Sequence, residues 1–169
     1  MKKFFSILAV ATVMLFAMNN ANAQISVRAG FLNDIYAGDA DATEAGFYVG
    51  ASYNMQAFGD FNLAPGAYFA YSKDRMDLRV PVLLNFGVNL TNEVGIVFFA
   101  GPQVNIGLAG DVYDAYKRFG LGLTFGAGLT YQKVSFELGY SLGFLNHWDL
   151  PGDFKVNFNQ FTIGLGYKL

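Results

Sequence analysis

The chain has 169 residues, no cysteine, and 11 basic against 13 acidic side chains, a net charge of −2. That slight negative balance argues against nucleic acid as a partner, and the lack of cysteine excludes a disulfide-stapled secreted scaffold or a lipid-anchored export product. Charged residues make up only 14% of the sequence, while aromatics reach 17% and there are 20 glycines, the profile of a long apolar girdle built from alternating strands and not from helices.

Lys2 and Lys3 give a positive N-terminus, residues 4–18 are almost wholly apolar, and Ala21-Asn22-Ala23 supplies the small-x-small pattern of a signal-peptidase site before Gln24. Residues 1–23 are therefore expected to be a cleaved signal peptide, since the apolar run falls short of the roughly 20 residues a spanning helix needs. Residues 24–169 remain as one domain. Without Lys2 and Lys3 it carries 9 basic and 13 acidic side chains, a charge of −4.

From Gln24 onward, apolar residues recur at every second position, the period of a strand with one greasy face. The first run sets Ile25, Val27, Ala29 and Phe31 against Ser26, Arg28 and Gly30, and is expected to end at Asn33-Asp34. An acidic loop through Asp39, Asp41 and Glu44 leads to a second strand, Phe47, Val49, Ala51, Tyr53 and Met55 against Gly46, Tyr48, Gly50, Ser52 and Asn54. Phe58-Gly59-Asp60 turns tightly into a third, with Leu63, Pro65, Ala67, Phe69 and Tyr71 on one face. Residues 73–77 then form a short charged loop. The clearest stretch is 78–107, where two long alternating runs meet at Thr91-Asn92-Glu93 as a hairpin of strands four and five.

Another polar loop covers residues 111–118. Strand six places Phe119, Leu121, Leu123, Phe125, Ala127, Leu129 and Tyr131 opposite glycines and threonines, and Gln132-Lys133 turns the chain into strand seven. There Val134, Phe136, Leu138, Tyr140, Leu142 and Phe144 oppose Ser135, Glu137, Gly139, Ser141 and Gly143. After a long loop over 146–155, the last strand sets Phe161, Ile163, Leu165, Tyr167 and Leu169 against Gln160, Thr162, Gly164, Gly166 and Lys168. Val156 and Phe158 fall in the opposite phase, so a bulge is expected near Asn159.

Three short turns and four charged connections, three of them long, join these eight strands. The expected fold is all-β, an eight-stranded antiparallel up-and-down transmembrane β-barrel with both termini on the short-turn side. An arginine or lysine facing lipid at mid-membrane costs roughly 2–4 kcal/mol, so Arg28, Arg79 and Lys168 are expected to point inward, and their parity agrees. Glu137 shares that parity on a strand next to the last, which must close against the first. An interior charge network of Arg28, Glu137, Lys168 and Arg79 is expected, with Glu137 meeting Lys168 or Arg28. Hydration of each charge alone near a rim is the alternative. An eight-stranded interior is just wide enough for side chains to fill, and Tyr48, Tyr68, Leu83, Phe99 and Arg79 are available to do so.

The run Leu78-Arg79-Val80-Pro81-Val82-Leu83-Leu84, followed by Ala100-Gly101-Pro102, resembles the Leu-x-Ile-Pro-Leu-x-Leu and Ala-Gly-Pro signatures of the small outer-membrane β-barrel domain family of Gram-negative bacteria. That family includes PorT-like proteins and is similar in architecture to OmpX and the OmpA membrane domain. By pattern the resemblance covers residues 24–169, and by motif only those two patches. It implies insertion by the outer-membrane assembly machinery and, for most members, no defined substrate. Asn85 stands where many relatives carry lysine. The chain ends in Leu169 where such barrels usually end in an aromatic residue, although Tyr167 and Phe161 keep the last strand aromatic.

Groups able to do chemistry are few. A lipid-modifying barrel needs a base positioned beside a serine, and the sole histidine, His147, has only Asp149 beside it and Ser141 upstream, the latter with inward parity below the rim. No catalytic residue, cofactor or metal site is expected. Asp39-Ala40-Asp41-Ala42-Thr43-Glu44 offers oxygens to a hard cation but lacks the spacing and glycine of an EF-hand, and reads as a solvated acidic loop. The glycines of strand six alternate with lipid-facing residues, so they thin the inner face and do not cradle phosphate. The expectation is a monomeric integral protein of the cell outer membrane, in contact with its lipid and lipopolysaccharide, with a structural or surface-interaction role. A small porin-like channel and a lipid-modifying enzyme are alternatives, as is a soluble lipocalin-type barrel.

Overall fold

Period-two runs of this length satisfy their backbone groups only by pairing, and eight of them pair into a closed ring. The computed structural model describes residues 24–38, 42–73, 75–110, 117–145 and 156–169. Within them lie β1 (Gln24–Gly38), β2 (Ala42–Phe58), β3 (Phe61–Ser72), β4 (Arg75–Asn89), β5 (Val94–Ala109), β6 (Phe119–Tyr131), β7 (Val134–Gly143) and β8 (Val156–Lys168). Each strand is antiparallel to the next, and β8 returns to β1, closing the barrel. Closure leaves no free strand edge. The expected signal peptide, Asp39, Asp41, His147 and Asp149 lie outside the described residues.

The registers are staggered. Gln24 pairs with Asn54, Ala64 with Leu83, Gly101 with Thr124, Thr124 with Ser141, Ser141 with Gln160, and Gln160 with Asp34. A walk round the barrel from Gln24 thus returns to β1 at Asp34, ten residues higher. Such a stagger tilts the strands, by about 35–45° in barrels of this type. The two-residue turns place Gly59 and Gln132 at φ 52°, the left-handed region that hairpin turns demand. At the third tight connection, the Thr91 hydroxyl accepts from the backbone N–H groups of Glu93 and Val94 at 3.2 and 3.0 Å.

Outward positions are predominantly apolar on all eight strands. Phe31 is 76% exposed, Leu165 60% and Leu129 56%, a degree of opening that hydrocarbon tolerates and water penalises. Near the turns Phe58, Phe61 and Phe86 stack across β2, β3 and β4 with ring centroids 5.1 and 5.2 Å apart. Towards the other end Phe47 and Tyr71 stand 5.5 Å apart. Two aromatic tiers separated by aliphatic side chains match the girdles of membrane barrels.

Three sequence expectations need correction. β1 continues past Asn33-Asp34 to Gly38 and β4 begins at Arg75, not Leu78, because polar residues that resemble loop are paired strand residues facing a polar lumen. The β1–β2 connection therefore shrinks to residues 39–41, and two long connections remain instead of three. The bulge near Asn159 is absent: β8 holds one register with β1 from Val156 to Lys168. Val156 and Phe158 are buried on the inward face with Gln160, so their phase reflects apolar packing inside the barrel. Register shifts occur instead between Gln56 and Phe58 and between Met76 and Asp77.

Candidate functional site: the barrel interior

Inward side chains fall into tiers along the axis. The best-buried tier lies towards the long connections, where Asp34 of β1 is 1% exposed. Arg75 Nη2 approaches one Asp34 oxygen at 2.7 Å and Arg79 Nη2 the other at 3.4 Å, while Asp77 Oδ2 stands 2.9 Å from Arg75 Nε and 3.5 Å from Arg79 Nη2. The Ser72 hydroxyl donates to Asp34 at 2.8 Å, and the Gln160 amide donates to it as well. The Phe158 ring lies 4.5 Å from the Arg75 guanidinium carbon. Among the described residues, two carboxylates thus face two guanidiniums. A charge left unpaired at this depth costs several kcal/mol, so this balance lets the cluster exist. It ties β1, β3, β4 and β8 together across the lumen. Above it Tyr36 donates to Glu44 at 2.9 Å, which draws the last residue of the expected acidic loop into β2.

Six residues below Asp34 on the same strand, Arg28 Nε stands 3.3 Å from Glu137 Oε2, an ion pair off the line of a good hydrogen bond. Arg28 also donates to the Tyr68 hydroxyl at 3.0 Å, and Ser135 donates to Glu137 at 2.9 Å. Around this pair lie Tyr48, Tyr68, Leu83 and Phe99, enclosing a space of about 60 Å³. Between the two tiers, Thr124 donates to Gln103 at 2.9 Å, which leaves Ser141 to donate to Thr124 at 2.8 Å. Two inward glycines make room for these rings. A Cβ on Gly164 would strike the Tyr48 hydroxyl, and one on Gly126 the edge of Phe99.

The four charges expected to form one network are spread over three tiers. Arg28 and Glu137 meet. Arg79 joins Asp34 and Asp77, and Lys168 lines the turn-side mouth. Sequence reasoning missed Asp34, Arg75 and Asp77. Their signal is parity: Asp34 continues the alternation of Arg28, Gly30 and Leu32, and Arg75, Asp77 and Arg79 stand two apart.

A closed antiparallel eight-stranded barrel, greasy outside and with paired charges within, has the fold class of the small outer-membrane barrels. No protein-family model matches the sequence, and no curated protein is similar to it. Among solved structures the chain is similar to Neisserial surface protein A, at 15% identity and a TM-score of 0.59, over 88% of this chain and 99% of that one. It is also similar to Ail, the attachment invasion locus protein of Yersinia pestis, at 14% identity and 0.47 over 87% and 99%, and to OprG from Pseudomonas aeruginosa, at 16% and 0.47 over 87% and 96%. The first likeness establishes a shared fold. Identities this low carry nothing about activity.

Proposed function

We propose that the chain is a monomeric integral barrel of a Gram-negative outer membrane, exported by residues 1–23 and inserted by the outer-membrane assembly machinery, with a structural or surface-interaction role. One observation carries the reading: large apolar side chains face outward on the barrel while Asp34, Arg75, Asp77, Arg79, Arg28 and Glu137 are held inside. That distribution has its free-energy minimum in a bilayer, where lipid meets the greasy face and internal pairing satisfies the charges. The short turns then face the periplasm, the longer connections face outward, and lipopolysaccharide meets the upper aromatic tier. Cell fractionation tests this directly. The protein is expected with the outer membrane, with a heat-dependent shift on a denaturing gel, and release by osmotic shock would defeat it.

The role is non-catalytic in this reading. The Ser141 hydroxyl is buried and its hydrogen bond, at 2.8 Å, runs to the Thr124 hydroxyl and not to a carboxylate. The channel alternative has one observation in its favour, a polar cavity of about 430 Å³ at the turn-side mouth. Above that cavity the spaces lined by described residues fall to about 60 and 10 Å³, room for isolated waters and not for a file of hydrated ions. Planar-bilayer recordings are expected to show no stable conductance steps.

A further inference from the structure

The turn-side mouth is built differently from the rest of the lumen. Its cavity of about 430 Å³ is lined by carboxamides, among them Asn54, Gln56, Asn62, Asn85 and Asn89, together with Lys168. Asn85 donates to Asn54 at 3.1 Å and Asn54 donates to Ser26 at 2.9 Å, which fixes the floor. Asn62 and Asn89 are exposed to the cavity mouth and make no side-chain hydrogen bond to another described residue. Lys168 forms no ion pair among the described residues, and the other charged group of the lining, Asp60, sits on the exposed turn. Deeper in the lumen Arg28, Arg75 and Arg79 each have a carboxylate against them.

We propose that this mouth is a binding site for a carboxylate-bearing, hydroxyl- and amide-rich saccharide. Each carboxamide offers an acceptor and two donors side by side, the pattern that ring hydroxyls and acylamino groups answer. Lys168 supplies the one charge that an acidic substituent needs. The volume lies within the range of small-molecule sites, roughly 300–1,000 Å³. That such a glycan reaches the mouth from the periplasm rests on the orientation proposed above. Binding itself does not, and it is measured away from the cell.

The experiment titrates the isotope-labelled full barrel in detergent micelles with N-acetylmuramic acid, N-acetylglucosamine and lactate, following amide chemical shifts. The acidic sugar is expected to bind about tenfold more tightly than its neutral counterpart, the value of one charge-assisted contact at a partly open site. Shifts should be confined to the residues around Asn54, Asn62, Asn85 and Lys168. Lys168→Gln should reduce the acidic sugar to the neutral one's affinity, Lys168→Arg should keep the preference, and Asn62→Ala should weaken both sugars. A heat-dependent gel shift confirms folding of each variant, and if Lys168→Gln fails to fold, Lys168→Arg and Asn62→Ala decide. Equal affinity for both sugars, lactate binding as tightly as the full acid, or no saturable shift overturns the proposal and leaves a hydrated barrel mouth. None of these results bears on residence in the outer membrane, which fractionation tests separately.

Discussion

Replacing Asp34 with asparagine keeps the shape of the side chain and removes one of the two carboxylates in the upper cluster. Three consequences follow from the geometry. Arg75, 2.7 Å away, loses the closer of its two described anions; Arg79 loses its nearer described one; and the new NH2 group must face donors from Ser72, Gln160 or a guanidinium. Breaking a buried pair from one side costs about 3–5 kcal/mol. Asp34 is 1% exposed, so water screens little of this, while Asp77 still holds Arg75 at 2.9 Å. The lower end, about 3 kcal/mol, is therefore expected. In lipid vesicles the urea midpoint, read by fluorescence of the sole tryptophan, Trp148, should fall by about 1–2 M. Asp34→Asn combined with Arg79→Met restores neutrality and should recover more than half of that fall. A single-variant shift below about 0.3 M, or a double variant no better than the single, would refute the claim that charge balance holds the upper lumen together.

Gly164→Ala should destabilise the barrel by about 1–3 kcal/mol through overpacking, because its methyl meets the Tyr48 hydroxyl. Adding Tyr48→Phe should return part of the loss in the same unfolding assay, because the ring Cζ still lies 2.9 Å from the new methyl. Leu138, 43% exposed on the outer face of mid-β7, should tolerate arginine poorly in a bilayer, at a cost of about 2–4 kcal/mol, and an unchanged midpoint would place that face elsewhere than in lipid. His147→Ala should leave the mass spectrum of lipid A unchanged, since no catalytic role is assigned to that loop.

The spacing of apolar residues alone was enough to read the strand count, the inward parity of Arg28, Arg79, Glu137 and Lys168, and the aromatic character of the outer face. Side chains alternate across a strand, so the face each residue takes is fixed by its position in the run once any neighbour's face is known. Segment ends were less legible. Asn33-Asp34 and residues 73–77 look like loop because polar residues mark loops in proteins whose interiors are apolar, and here the interior is polar. Val156 and Phe158 looked out of phase for the opposite reason: they are apolar side chains packed inward with Tyr36, on a face that is elsewhere mostly polar or small.

Which charges meet was decided by tertiary structure. Parity says that Arg28, Asp34, Arg79, Glu137 and Lys168 all point inward, but their heights depend on how far the sheet slips before it closes. The ten-residue stagger brings Gln160 beside Asp34 and leaves Lys168 in the mouth with the carboxamides. Stagger is the sum of eight pairwise registers, each set by contacts between strands distant in sequence, so it exists only once the ring is complete.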